Sequence, residues 1–581
     1  MKQLLSAGIL LTIAFSLFNT KAVAQPAIQW QKSLGGSGVE QAHDVQPTPD
    51  GGYIVAGYTA SNDGDVSGHH GGQDYWVVKL DNTGFIQWQK ALGGSGHDQA
   101  HSIQPVVGSG YIVAGYTWSN DGDVTGNHGV SDYWVVKLDN AGDIEWQKCL
   151  GGSIYDEAYS VQPVADGGYI VAGFSWSNDG DVTGNHNSRD YWIVKLNNTG
   201  NIEWQKSLGG SSDEYAYSVQ PVADGGYIVA GYTWSNDGDV TGNHGSGDYW
   251  VVKLNNNGNI EWQKCLGGSG HDQAHSVLPV ADGYIVAGYS QSTGGDVSGN
   301  HGADDYWVVK LNNSGDIEWQ KALGGSGQDI AQSVQSVANG YIVAGISLSI
   351  DGDVTGNHGS GDYWVVKLNS DGDMQWQKSL GSGAIDWAYS IQPASDGGYI
   401  VAGYSGGNGD DVTGNHGNFD AWIVKLATDP ALPVTFGGIT AAIKNNNLLV
   451  NFTSLTEVNN DRFVIEISAD GKHFKEAGIL RSRATAGNSD TALDYSFTMD
   501  AATAMAGQCA LLLLGLALAG RRRLCQWLMA GAFIFAVFFA ACTKTDTDPA
   551  AFDTENLYIR IAQVDKDGTK TYSKVVKAVK E

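Results

Sequence analysis

The triplet Trp-Gln-Lys begins at Trp30, Trp88, Trp146, Trp204, Trp262, Trp319 and Trp376, so the same word returns every 57 or 58 residues. A second tryptophan, in Asp-Tyr-Trp or its variant Asp-Ala-Trp, returns with the same period at 76, 134, 192, 250, 307, 364 and 422. A fixed period of this length is the mark of one supersecondary unit used many times, stacked or arranged radially.

Each copy reads as four short strands separated by turn residues. In the fourth copy they fall at Tyr217–Val222, Tyr227–Thr233, Asp248–Leu254 and Ile260–Cys265. Asp224-Gly225-Gly226 and Asn256-Asn257-Gly258-Asn259 carry the chemistry of tight hairpins. Alternation predicts Trp250, Val252 and Leu254 on one face of the third strand, with Tyr249, Val251 and Lys253 on the other. No helical period of similar strength appears in the repeats. The expected fold is all-β: a seven-bladed β-propeller over residues 25–427, with a solenoid as the alternative. The ring is favoured because Ile28–Leu34 precedes any complete copy, whereas the last copy stops at Ala421–Leu426 without such a strand. The amino-terminal strand can complete the last blade and abolish the open edges. Both tryptophan series then become packing residues between blades.

The words Trp204-Gln-Lys-Ser-Leu-Gly-Gly210, Asp224-Gly-Gly-Tyr-Ile-Val-Ala-Gly-Tyr232 and Asp248-Tyr-Trp-Val-Val-Lys-Leu254 resemble the propeller repeats of exported proteins from Gram-negative gliding-type bacteria. The resemblance covers residues 26–427. Some of those proteins carry endoglucanase-like names, but a fold does not fix a function.

The mature chain is read as exported. Lys2, the apolar run Leu4–Phe18 and Ala22-Val23-Ala24 form a signal peptide over residues 1–24. Five cysteines make no disulfide framework: Cys149 and Cys265 occupy one slot of two different repeats, and Cys509, Cys525 and Cys542 lie in a hydrophobic segment. With 62 acidic against 33 basic side chains, the net charge is −29, which repels a phosphate backbone and excludes nucleic acid as a partner.

In an antiparallel blade the second and fourth connections emerge together, and here these are the long ones, rich in Asp, Asn, His and Gly. Asp123, Asn127 and Asp132, and equally Asp239, Asn243 and Asp248, place oxygen side chains near a hard-cation pattern. The stretch resembles the calcium loop of integrin-type propeller repeats, with a His where that loop has Gly and one residue more. A network of Asx turns is the other reading of the same residues. The seven loop histidines, His70, His128, His186, His244, His301, His358 and His416, stand one per blade and are expected too far apart to share an ion. Adjacent carboxylates at Asp156 and Glu157 or Asp213 and Glu214 could serve a glycosidase. However, an acid recurs in this slot at Glu40, Asp98, Asp272, Asp329 and Asp386, which argues for a structural role. The departures His69, Arg189 and Trp387 form no recognisable acid–base set, so no catalytic residue is assigned.

After Leu426 the period stops. Residues 428–436 read as a linker, and 437–499 with 556–581 as two halves of a small β-sandwich. Strands are expected at Leu448–Phe452, Arg462–Ser468, Tyr495–Thr498, Leu557–Val564 and Tyr572–Val579. Asn459–Gly471 and Tyr558–Gly568 resemble the fibronectin-like domain that precedes the sorting domain of type IX secretion cargo, although no sorting domain follows before Glu581. Between the halves, Ala501–Gly520 and Leu524–Cys542 are apolar stretches of spanning length split by Arg521-Arg522-Arg523. The segment 501–542 is expected to be a membrane hairpin with its arginine turn inside. A lipoprotein-like site at Cys542 and a misjoined reading frame are the alternatives. The functional expectation is an exported, envelope-anchored, non-enzymatic propeller that binds a glycan or protein through its acidic loop face. A secreted polysaccharide-acting enzyme and a ligand-free structural repeat are its competitors.

Overall fold

The computed structural model describes residues 25–429 and, apart from a few short gaps, 435–500 and 557–580. The signal peptide at 1–24, the segment 501–542 and Cys542 lie outside the described residues. Two compact units result, divided after Asp429.

Every described element of the first unit is a strand, and these pair into seven four-stranded antiparallel sheets. The first sheet is Glu40–Pro47, Tyr53–Thr59, Asp74–Leu80 and Ile86–Leu92, and the next five repeat this order. The seventh takes Asp386–Pro393, Tyr399–Ser405 and Asp420–Leu426 from one end of the repeats and Ile28–Leu34 from the other. That last pairing runs from Ile28 opposite Leu426 to Leu34 opposite Ala421. The expected completion of the last copy by the amino-terminal strand is therefore present.

The third strand explains why sheets stack face to face. All seven residues of Asp248–Leu254 are buried. Alternation sends Trp250, Val252 and Leu254 into an apolar cluster with the third sheet, and Tyr249 and Val251 into one with the fifth. The tryptophans at 76, 134, 192, 250, 307, 364 and 422 are all at most 2% exposed, as expected for inter-sheet packing. Polar bonds follow the same cyclic order. The Tyr249 hydroxyl donates to the Trp307 carbonyl at 2.8 Å, and five further tyrosines repeat this bond. Nearer the centre, the Val277 N–H donates to Ser218 Oγ at 3.2 Å. Equivalent bonds join every neighbouring pair of first strands, including Val45 N–H to Ser390 Oγ at 3.4 Å between the first and last sheets. This is the β-propeller repeat arrangement.

One boundary differs from expectation. The first strand of the fourth sheet starts at Glu214 rather than Tyr217. An acidic residue at a strand start reads as a turn, yet Glu214 is fully buried here because Gly210 N–H and the Thr233 hydroxyl satisfy its carboxylate.

The second unit holds two sheets. One joins Thr435–Lys444, Asn447–Thr456, Leu493–Asp500 and Val579–Lys580; the other joins Asn460–Ser468, Lys475–Arg481, Tyr558–Asp565 and two short strands. They share one core that includes Val450, Phe452, Phe463, Ile465, Ile559 and Ile561. Two strands, Thr435–Lys444 and Lys475–Arg481, were not among those expected, and the first overlaps the expected linker. The expected strand Tyr572–Val579 is broken into short pieces. Tyr558–Asp565 pairs along its length with Asn460–Ser468, so sequence from both sides of 501–556 meets in one sheet. Among the described residues, no helix is long and apolar enough to cross a membrane.

The inter-sheet tyrosine bond can be tested directly. Tyr249→Phe removes the hydroxyl that ties the fourth sheet to the Trp307 carbonyl of the fifth and should cost about 1 kcal/mol. A thermal melt should fall by a few degrees, and an unchanged melt would remove the bond from the stabilising set.

Candidate functional site

The long connections are rich in hydrogen-bonded polar side chains. Each connection between sheets is clamped by the second loop of the sheet that follows: Gly209 N–H donates to Asp239 Oδ2 at 3.3 Å, Ser211 N–H to Asp237 Oδ1 at 2.8 Å, and Ser212 N–H to Ser235 Oγ at 2.9 Å. Asn243 donates from Nδ2 to the Thr233 and Ser235 carbonyls at 3.3 and 3.0 Å and accepts the Gly245 N–H. Asp248 is fully buried, and its Oδ2 takes the His244 N–H at 3.0 Å and lies 2.6 Å from His244 Nδ1. The second sheet repeats this with Asp123, Asn127, His128 and Asp132. Asp239, Asn243 and Asp248 thus engage three different sets of partners, and so do Asp123, Asn127 and Asp132. Among the described residues, no three His, Cys, Asp or Glu side chains are grouped to hold a metal ion. The bonds present are those of the Asx-turn network. Cys149 and Cys265 are buried and free.

The histidine–aspartate pairs carry a pH signature. Burial pushes the Asp132 carboxyl up to about 6, against the hydrogen bonds it receives from His128. Burial works to lower the His128 ring, but the bond to Asp132 and neighbouring carboxylates outweigh it and hold the ring above its ordinary value. The pairs His186–Asp190 and His358–Asp362 behave alike.

The two candidate carboxylate pairs are split by the strand they begin. Asp156 and Glu214 turn into the buried slot, where burial pushes Glu214 up to about 7. Glu157 and Asp213 turn instead toward Arg189. The Arg189 guanidinium lies 2.8 Å from Asp213 Oδ2 through NH1, and the Ser188 hydroxyl donates to the same carboxylate. Burial works to raise Asp213, but the bonds from Ser188 and Arg189 outweigh it and hold the carboxyl below its usual range. Arg189 also lies over the rings of Trp176, Phe174 and Tyr215, at 4.8, 5.6 and 5.6 Å, and its Nε is buried without a partner.

Arg189 is the midpoint of an arc. On one side Trp176 stacks on Tyr155 at 6.2 Å, Tyr155 meets Trp118 at 6.5 Å, and Trp118 meets His97 at 5.3 Å. On the other, Tyr215 stacks on Tyr232 at 5.1 Å, Tyr232 meets Trp234 at 5.7 Å, and Trp234 meets His271 at 6.2 Å. Trp118, Trp176 and Trp234 are 45, 38 and 41% exposed. Their slot is filled by Ala60, Gln291, Leu348 and Gly406 in the other sheets, so the arc belongs to three consecutive copies. Trp234 rests on Gly247, where a Cβ would come within 2.6 Å of the indole ring. This is the unequal constellation that a reading of Arg189 as an isolated departure missed. The available signal was the run of three tryptophans beginning the second loops.

A second run of rings links the first strands of six sheets, with Gln332 in the same slot of the remaining one. His43, His101, Tyr159, Tyr217 and His275 follow one another at 4.6–5.1 Å, and Tyr389 meets His43 at 5.0 Å. Burial lowers His43 and His275 to about 4, so these rings are neutral at physiological pH.

No protein-family model matches this chain, and no curated protein matches it. Solved structures do. BBS1N in complex with ARL6DN is 11% identical over 70% of this chain and 97% of its own, with a TM-score of 0.36. The phage phi92 endosialidase is 10% identical over 72% and 73%, at 0.35. The PQQ-bound aldose sugar dehydrogenase from Streptomyces coelicolor is 12% identical over 69% and 99%, at 0.30. No residue role passes from them to this chain.

The pH signature predicts a direction. Asp132 and His128 both bind protons more tightly in the fold than in the unfolded chain, so their contribution is present at low pH. It is lost as pH rises through about 6 for Asp132, and then through the raised value of His128. Asp132→Asn, which cannot titrate, should flatten the fall in melting temperature between pH 5 and pH 8 relative to the parent. An identical slope in both proteins would show that this pair does not set it.

Proposed function

We propose that this chain is an exported, non-enzymatic ligand-binding protein: a seven-bladed β-propeller that captures an extracellular glycan or protein on its loop face. What supports the reading is the arc from His97 to His271. The strand cores are nearly equal from copy to copy and serve packing. The arc is confined to consecutive copies and leaves Trp118, Trp176 and Trp234 each more than a third exposed, and exposed patches of this kind mark interaction sites. The absence of turnover is inferred from the fate of the carboxylate pairs. Asp156 and Glu214 are buried in hydrogen-bonded slots, and Asp213 is committed to Arg189.

The second unit fits a fibronectin-like sandwich, and the origin of the chain in a Gram-negative gliding-type bacterium remains part of this proposal. Anchoring at the envelope rests on the sequence of 501–542. It is supported by the pairing of Tyr558–Asp565 with Asn460–Ser468, which lets both flanks of an inserted hairpin lie on one side of a membrane.

Two measurements test the proposal. Immobilised full-length protein and its Trp176→Ala variant should differ in ligand capture from glycan and protein arrays, while Phe85→Ala, an exposed ring on an outer turn, should not. Turnover of a captured polysaccharide that disappears in Glu157→Gln would replace the binding reading with the enzymatic one. Deleting Ala501–Cys542 should move the protein from the membrane fraction to the soluble fraction. A full-length protein already soluble would remove the anchor.

A further inference from the structure

The arc constrains its ligand more closely, and this inference rests on the loop-face reading above. We infer that the arc seats an extended, uncharged polysaccharide chain, with sugar rings lying on Trp118, Trp176 and Trp234 and hydroxyl groups held at Arg189, Asp213 and Glu157.

Shape comes first. The members of the arc follow one another at 4.8–6.5 Å through Trp118, Tyr155, Trp176, Arg189, Tyr215, Tyr232 and Trp234. The exposed indoles offer flat apolar surface, and the C–H faces of successive pyranose rings bury well against such surface. A ligand that meets all three tryptophans must cross three sheets, so a single sugar cannot fill the site. Among the exposed large apolar side chains on this part of the loop face, Val130 is the one aliphatic residue. The apolar surface offered is therefore almost entirely planar.

Hydrogen bonding comes second. Arg189 is pinned through NH1 to Asp213 and stacked on Trp176, so its guanidinium is preorganised and not free to swing away. Its Nε is shut off from solvent and makes no hydrogen bond within the protein, so the donors left for a ligand are those on the exposed part of the guanidinium. Glu157 accepts from the Tyr159 hydroxyl at 3.1 Å and has acceptor capacity left on the same side. A fixed donor beside carboxylate acceptors suits hydroxyl groups, which both give and take hydrogen bonds.

Charge comes third. The loops bordering the arc carry Asp121, Asp123, Asp179, Asp181, Asp237 and Asp239, while the charge of Arg189 is already matched by Asp213. A polyanionic glycan or nucleic acid meets net repulsion there. A polycation would be drawn to the loops but would meet the guanidinium at the centre of the arc. An uncharged chain avoids both.

The test is titration of the full-length protein, followed by tryptophan fluorescence and calorimetry, with neutral gluco- and manno-oligosaccharides of increasing length. Polygalacturonate and an oligolysine peptide serve as charged comparators. Affinity for a neutral series should tighten with each added sugar until the arc is filled, and should be insensitive to salt. Trp176→Ala should weaken it about tenfold or more, and Trp176→Phe should restore part of the loss. Melting curves of both variants show that they fold. Arg189→Gln should weaken binding without abolishing the length dependence. Absence of binding to every neutral saccharide overturns the inference, as does a salt-sensitive preference for oligolysine. In either case the loop-face reading survives if some other captured ligand is lost in Trp176→Ala, and it falls if no captured ligand depends on the arc.

Discussion

A sheet with two apolar faces cannot end at water on either side, and that constraint organises the whole repeat region. The third strand of every sheet is buried along its length, save Asn312 at the end of the fifth, with alternate residues committed to opposite neighbours. Tyr249 needs the fifth sheet and Trp250 needs the third. A linear stack of such sheets would leave two large aromatic faces exposed and would require polar capping units at both ends. Cyclic order removes both faces at once. Pairing Ile28–Leu34 with Ala421–Leu426 also removes the sheet edge that chain termini would otherwise leave.

The polar groups buried by this packing explain the chemistry of the seams. Hydrogen bonds bring first strands together, so a carboxylate at each strand start is drawn out of water and must be satisfied locally. Gly94 N–H and the hydroxyls of Thr117 and Ser119 do this for Asp98. The closing seam is chemically distinct. Ala421 stands where six other copies place tyrosine, so no hydroxyl reaches the Trp76 carbonyl. Asp44 stands where the others place serine, and it accepts from Ile103 N–H and Ser390 Oγ at 2.9 and 3.0 Å. Burial raises its carboxyl to about 6. Where the chain meets its own beginning, one hydrogen bond is missing and another is charged.

What the sequence made legible was whatever the period repeats. Both tryptophan series, the turn glycines and the spare strand at Ile28–Leu34 imply the sheets and their closure, because each needs only local pattern and counting. Contacts between copies were harder to read. Asp213 and Glu157 lie 56 positions apart and come together only because neighbouring first strands pack side by side, so pairing each with its sequence neighbour gave the wrong partners. The start of the first strand was misplaced for a related reason: Glu214 looks like a turn residue until its buried donors are known. For the oxygen pattern of the loops, spacing alone could not show that Asn243 spends its amide on Thr233 and Ser235.

Repetition also separates two duties that a single-copy protein must combine. Positions that pack sheets are held fixed around the ring, as with the fully buried tryptophans, because a change in any copy would expose two faces. Positions flanking the strands on the loop side join the seams through their backbone, and their side chains differ between copies. The slot before the third strand reads Gln73, Ser131, Arg189, Gly247, Asp304, Gly361 and Phe419. Its neighbour at the end of the second strand reads Ala60, Trp118, Trp176, Trp234, Gln291, Leu348 and Gly406. Variation between copies is uninformative where it is scattered. Here it is concentrated: three tryptophans fall in consecutive copies, the single arginine falls in the middle one, and the glycine that follows makes room for the third tryptophan. A ring of near-equal parts breaks its symmetry here, and the scaffold tolerates this because its sheets pack through their strands.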